Sequence, residues 1–250
     1  MFTWHTAFFS IMHRQKSLGH LGGHSVSTEA RAETFAAADW DGGVLPYHVG
    51  HRKLGMWLFI ISDSLTFSAL LMAYAYLRAS NVWPTPFPFK PSIIFSSVMT
   101  FCLLSSSLTM VFGVSASSRG DKAGARKWII ATILLGLAFV VLHMFEWKHL
   151  IDEGLRPFFL PEHWVKVFTT TDGVPPSPLF GATFFAITGL HMFHVLTGAL
   201  YLSVVAARVK KLKHEDVEIS GLYWHFVDLV WMFVFPLIYI MSVDVAGLTK

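Results

Sequence analysis

Seven side chains able to bind a metal or carry a proton stand inside stretches of this chain that are otherwise apolar: Asp63, His143, Glu146, His191, His194, His225 and Asp228. Six of them fall in pairs three residues apart, His143-x-x-Glu146, His191-x-x-His194 and His225-x-x-Asp228. In a helix that spacing puts both members of a pair on one face. Three kinds of chemistry fit such an array. Imidazoles and carboxylates ligate a transition metal or haem; a line of them passes protons or ions; packed between helices they act as hydrogen-bonding glue. No Lys or Arg lies in the interior of these stretches. A carboxyl with only neutral neighbours in a medium of low dielectric favours its uncharged form.

The stretches are expected to be membrane spans. Of 250 residues, 54% are hydrophobic and 14% charged, against about 25% charged in a soluble domain, and the mean hydropathy is +0.53. So little charge cannot coat a globule of this size, which excludes a disordered chain, a fibrous repeat and an ordinary cytosolic enzyme. A span needs about 20 apolar residues, and five stretches qualify: Leu54 to Leu77, Ser92 to Ser115, Trp128 to His149, Leu179 to Ala207 and Gly221 to Val243. Trp57, Trp83, Trp128, Trp147 and Trp224 sit near their ends, where indole rings favour the headgroup zone. The expected fold is an all-α membrane protein, a bundle of five transmembrane helices built by residues 48–250 behind a tail of residues 1–47.

The links between spans differ in charge. Arg119, Lys122, Arg126 and Lys127 join spans two and three, and Arg208, Lys210, Lys211 and Lys213 join spans four and five. The positive-inside rule places both links, and with them the N-terminal tail and the Arg52 and Lys53 beside the first span, in the cytoplasm, leaving the C-terminus external. The other two links hold nine of the eleven prolines, which fix φ and remove donors, so they are expected to be extended, semi-rigid covers. Of the 19 basic residues, 13 lie in the tail, at Arg52 and Lys53 beside the first span, and in the two basic links. The basic balance therefore records topology and gives no support for nucleic-acid binding.

Depth sorts the seven groups. At about 1.5 Å per residue, Asp63 lies roughly 14 Å in from the cytoplasmic end of its span and Asp228 about 11 Å. His194 reaches a similar depth from the other side. The expected inner set is thus Asp63, His194, His225 and Asp228, the outer set His143 and Glu146, with His191 between. The separation of Glu146 from His194 weakens a shared metal sphere.

The rest of the chain is less informative. Cys102, the only cysteine, excludes an intrachain disulfide and a CxxC motif and reads as a small buried hydrophobe. The apolar patch from Phe2 to Met12 is too short to cross and has no small-residue cleavage site, so no signal peptide is expected; Phe2, Trp4, Phe8, Phe9 and Met12 suit a membrane surface or a partner. His5, His13, His20 and His24 follow no ligand spacing. The Gly-, Ser- and Ala-rich residues 17–44 read as a linker.

Several strings are more specific than composition. Thr188-Gly-Leu-His-Met-Phe-His-Val195 with Gly198, and Tyr223-Trp-His-Phe-Val-Asp228 continuing through Trp231, Phe235 and Tyr239, resemble the last two helices of subunit III of the haem-copper terminal oxidases, the cytochrome c and quinol oxidases. Gly55-Met-Trp-Leu-Phe-Ile-Ile-Ser-Asp-Ser64 resembles the family helix that carries a buried carboxyl after a serine, with Asp63 where Glu is common. The resemblance covers residues 48–243. It departs from the family at Met192, where Gly is frequent between the paired histidines, and it lacks the first two of the seven helices of the mitochondrial form, as five-helix bacterial members do.

This resemblance implies a non-catalytic subunit without redox centres, in a bacterial inner membrane. Haem and copper belong to subunits I and II; subunit III packs on subunit I, encloses phospholipid in a cleft and supports proton uptake, complex stability and sustained turnover. A larger respiratory supercomplex is a further partner of such an assembly. Asp63 becomes the functional buried carboxyl, and His143, Glu146, His191, His194, His225 and Asp228 a buried polar network with no metal. Trp57, Trp224, Trp231 and Tyr239 are the candidates for contact with lipid or a neighbouring subunit. The alternatives are a partner of nitric oxide reductase or of a quinol oxidase and, from a different class, a free-standing membrane metalloenzyme or a proton-coupled transporter.

Overall fold

The computed structural model describes residues 51–87 and 92–243. The tail of residues 1–47, with its aromatic patch and its four histidines, lies outside the described residues, as do Pro88 and Pro91. Among the described residues there are five long helices, α1 (His51–Ser80), α2 (Ile94–Ser118), α3 (Lys122–Asp152), α5 (Leu179–Arg208) and α6 (His214–Val234), with a short α4 (Glu162–Phe168) between α3 and α5. Past α6 the chain continues as a π-helical turn, Phe235–Tyr239, and a 3-10 turn, Ile240–Ser242.

Each expected span falls within one long helix or its continuation. In hydrocarbon the backbone must satisfy itself, which makes helix the only open single-segment solution. The five spanning helices hold 25 to 31 residues, or roughly 37 to 47 Å at the helical rise. They therefore overshoot a hydrocarbon core about 30 Å thick, and the observed helices extend past most of the apolar limits into polar turns such as His51-Arg-Lys53 and His214-Glu-Asp216.

Helix ends carry their own signals. Gly120 adopts φ 80° after α2, the left-handed conformation that glycine supplies at a helix C-terminus. Asp121 then caps α3, accepting from Gly124 N at 2.8 Å. The first basic link is thus a three-residue turn, and α2 and α3 run antiparallel. Asp216, in the first turn of α6, accepts from Lys213 N, and its charge suits the positive end of the helix.

The two basic links lie at one face of the bundle. Lys122 Nζ donates to Leu212 O at 2.8 Å, and Arg52 and Lys53 pair with Asp216 at 2.9 Å and Glu218 at 2.7 Å. The proline-rich links lie at the other. They are less extended than expected: Pro161 precedes α4, a turn of helix whose Trp164 is buried edge-on against Phe180. A loop with an apolar anchor can lie on the bundle end only by pairing its backbone, and α4 does that locally.

α3 packs against α2 and α5, and α6 against the same two helices. α1 stands apart, burying only Phe67 and Tyr74. The bundle centre is notched by glycine. A Cβ on Gly136 would sit 2.5 Å from Trp224 Cη2, and one on Gly198 would sit 2.9 Å from Tyr223 Cε1. The indole of Trp224 fills these notches and is fully buried. Trp224, Trp231 and Tyr239 are therefore core residues within this chain, not lipid- or partner-facing ones as expected; Trp57, 45% exposed, remains on the surface.

Candidate functional site: three buried polar clusters

α2 supplies the hydroxyls. Ser96, Thr100, Leu103 and Ser107 recur at steps of four, three and four, one helical face, and Ser106 borders it. Thr100 and Ser106 donate to carbonyls of their own helix and accept the indole N–H of Trp231 at 2.9 Å and of Trp224 at 3.0 Å. Ser96 and Ser107 each meet a titratable partner. Sequence reading passed over this Ser/Thr stripe, although its helical spacing was visible.

The first cluster surrounds Glu146, on α3. Ser96 Oγ donates to Oε1 at 2.8 Å and Tyr239 Oη to Oε2 at 2.7 Å, while His143 Nδ1 stands 3.4 Å from Oε2. Tyr239 reaches this position through the π-helical turn. Pro236 has no N–H to continue the α-helical ladder, and the backbone widens, with Ile240 N bonding Phe235 O. A widened turn shifts the side chains that follow it.

Toward the bundle centre His143 and His191 are buried among aromatic rings. His143 stacks on Phe139 at 5.7 Å, His191 stacks on Trp231 at 5.0 Å, and Trp231 meets Phe139 edge-on at 4.8 Å. His191 lies within electrostatic reach of both His143 and His194, the intermediate place its sequence depth implied. Among the described residues, no three His, Cys, Asp or Glu side chains converge as metal ligands.

The second cluster is Asp63 with His194, between α1 and α5. His194 Nε2 is 3.4 Å from Asp63 Oδ1. Its Nδ1 is 2.8 Å from Leu190 O, an acceptor, so Nδ1 carries a proton and Nε2 is the atom that faces the carboxyl. Phe67 closes over the imidazole edge at 5.4 Å, and Tyr223 Oη donates to His194 O at 3.1 Å.

The third cluster is His225, Ser107 and Asp228. Ser107 Oγ is 2.6 Å from His225 Nδ1 and lies close enough to the Asp228 carboxyl to interact with it. The expected inner set of four is therefore two separate sites. His225 and Asp228 share the α6 face toward α2, while Tyr223, two residues from His225, turns toward α5 and α1. Two residues are about 200° of helical rotation, and depth alone carries no rotational information.

α1 joins the bundle at three heights. Arg52 and Lys53 pair with α6 at the basic face, Asp63 meets His194 midway, and near the other face Arg78 bonds Tyr74 Oη at 3.1 Å, Ser242 Oγ at 3.0 Å and the carbonyl of Met241. Between the upper two lies a groove of about 210 Å³, walled by Phe67, Leu71, Phe226 and Phe233, with Ser64 and Ser68 as its polar atoms.

Comparison with known proteins places these clusters in context. Residues 155–243 match the family model described as Cytochrome c oxidase subunit III. The chain is 33% identical over 199 residues to the cytochrome c oxidase subunit 3 of Corynebacterium diphtheriae, covering 76% of this chain and 88% of that one. It is 31% identical to the cytochrome c oxidase subunit 3 of Bacillus subtilis over 77% of this chain and 87% of that one. It is 30% identical to the cytochrome bo(3) ubiquinol oxidase subunit 3 of Pseudomonas putida over 76% and 86%.

Proposed function

Because the chain belongs to the cytochrome c oxidase subunit III family, we propose that it serves as the non-catalytic, multi-pass membrane subunit of an aerobic respiratory terminal oxidase. It associates there with the other oxidase subunits. The observation that carries this reading is the extent of the similarity, which covers more than three quarters of this chain and most of each relative. Glu146, His225 and the His194–Asp63 pair suit such a role: they meet hydroxyls or one another across helices, as interhelical glue does.

Three finer assignments go with it. The exposed face of α1 and the groove beside Phe67 suit a phospholipid chain, because the groove is apolar, narrow and open at the protein surface. Asp63, held against His194, suits support of proton uptake by a neighbouring catalytic subunit, since a single proton placed on either group makes their contact attractive. The gathering of Arg52, Lys53, Lys122 and the second basic link at one face supports a cytoplasmic N-terminus, an external C-terminus and a bacterial inner membrane. Haem and copper belong to the partner chains in this reading. The similarity to a ubiquinol oxidase subunit 3 favours a second reading, with quinol as the electron donor.

Deleting the chain from its own host tests the assignment. Membranes lacking it should keep the haem-copper oxidase spectrum yet lose oxidase activity during turnover, with recovery on re-expression. Unchanged activity over repeated turnovers would contradict it.

A further inference from the structure

We propose that a second cavity, at the proline-rich face, binds the ring head of a membrane-dissolved phenol through a hydrogen bond to Glu146. The cavity has a volume of about 250 Å³ and lies between the start of α2 and the end of α3. An apolar cavity of about 150 Å³ already takes a benzene ring. Phe87, Phe95, Phe145 and Leu150 form its walls, flat surfaces against which a ring packs by stacking or edge contact.

Its polar side is Glu146, only 7% exposed. A carboxylate offers about four lone-pair sites, and the hydroxyls of Ser96 and Tyr239 occupy one on each oxygen. Each oxygen keeps further acceptor capacity, and Glu146 lines the cavity, which suits an incoming O–H. The other polar liners are Ser92 and His149, and His149 is turned to Glu153 at 3.4 Å. Among the described residues the liners include no Lys or Arg to pair with a phosphate, and the carboxyl among them is that of Glu146.

Glu146 stands six residues from the end of α3, about 9 Å along the helix. A ring seated there lies just inside the membrane boundary, and Phe145, 62% exposed, marks the side through which an alkyl tail passes into the bilayer. The groove beside Phe67 lies between other helices and has no titratable group among its described liners, so the two cavities suit different molecules.

The test uses the intact complex that contains this chain and a redox-inert probe, 4-nonylphenol bearing a diazirine on its alkyl chain. After irradiation, mass spectrometry should find the label on the segments around Phe95 and Phe145. Unlabelled 4-nonylphenol should displace it at about tenfold lower concentration than nonylbenzene, the factor expected of one hydrogen bond on a matched ring, and at clearly lower concentration than decanol, which has the hydroxyl without the ring. Leu150→Phe, which fills the cavity and leaves Glu146 in place, should abolish labelling. Equal competition by nonylbenzene overturns the hydroxyl contact, equal competition by decanol overturns the ring, and label found elsewhere overturns the site. Should Leu150→Phe fail to assemble, the competition ratios in the unaltered complex decide.

Discussion

His194 bridges two helices with its two ring nitrogens: Nδ1 is 2.8 Å from Leu190 O on its own helix, and Nε2 is 3.4 Å from Asp63 Oδ1 on α1. The backbone bond fixes which nitrogen faces the acid. Asp63→Asn keeps a carbonyl and adds N–H donors that reach a neutral Nε2, so the complex should assemble with stability within about 1 kcal/mol of the parent. The titratable proton is lost, and sustained turnover and proton pumping by the reconstituted oxidase should fall. Pumping and turnover equal to the parent over repeated cycles would remove Asp63 from the functional account.

Glu146 and Tyr239 should behave as a unit. Glu146→Leu leaves the buried Tyr239 hydroxyl without its acceptor, at a cost of about 1–3 kcal/mol, whereas removing both polar partners is close to neutral. Thermal unfolding of the purified complex should therefore show Glu146→Leu as the less stable variant, and Glu146→Leu with Tyr239→Phe as largely recovered. No recovery in the double variant means that the loss lies in packing.

Pro236 acts through the same bond. Pro236→Ala lets the α-helical ladder continue and swings Tyr239 away from Glu146. Its loss of thermal stability should be similar to that of Tyr239→Phe, and the two should combine with clear non-additivity. Simple addition in that double-mutant cycle would separate the π-helical turn from the Glu146 cluster.

Gly136 receives Trp224. A methyl placed there meets the indole at 2.5 Å, and such overpacking costs about 1–3 kcal/mol. Gly136→Ala should lower the unfolding temperature of the complex, and Trp224→Phe should restore part of it by withdrawing the second ring. A Gly136→Ala variant as stable as the parent would show that α3 and α6 adjust freely.

Much of this was legible in the sequence because the bilayer imposes simple rules. Span number and approximate limits followed from apolar length, and the common face of Arg52, Lys122 and Lys213 from alternation of the spans. The pairing of Asp63 with His194 agreed with depth, as did the place of His191. What depth could not supply was rotation about each helix axis: it grouped His225 and Asp228 with Asp63, and only the α6 face toward Ser107 separates them. Trp224 looked like an interfacial ring because it lies three residues inside the expected start of its span, yet Gly136 and Gly198 on other helices open the core to it. Those notches are contacts between distant segments, which no local spacing reveals. Tyr239 was re-aimed by the turn at Pro236, a local distortion whose direction depends on what it packs against.

The proposed place of this chain, a third subunit of a terminal oxidase with haem and copper held by its partners, is decided by purification through an affinity tag on the chain, followed by optical and metal analysis of every subunit. Haem-copper subunits I and II should co-purify, all haem and copper should reside in them, and this chain once separated should retain neither. Recovery of the chain without haem-copper partners, or with metal bound to it after separation, would contradict that claim.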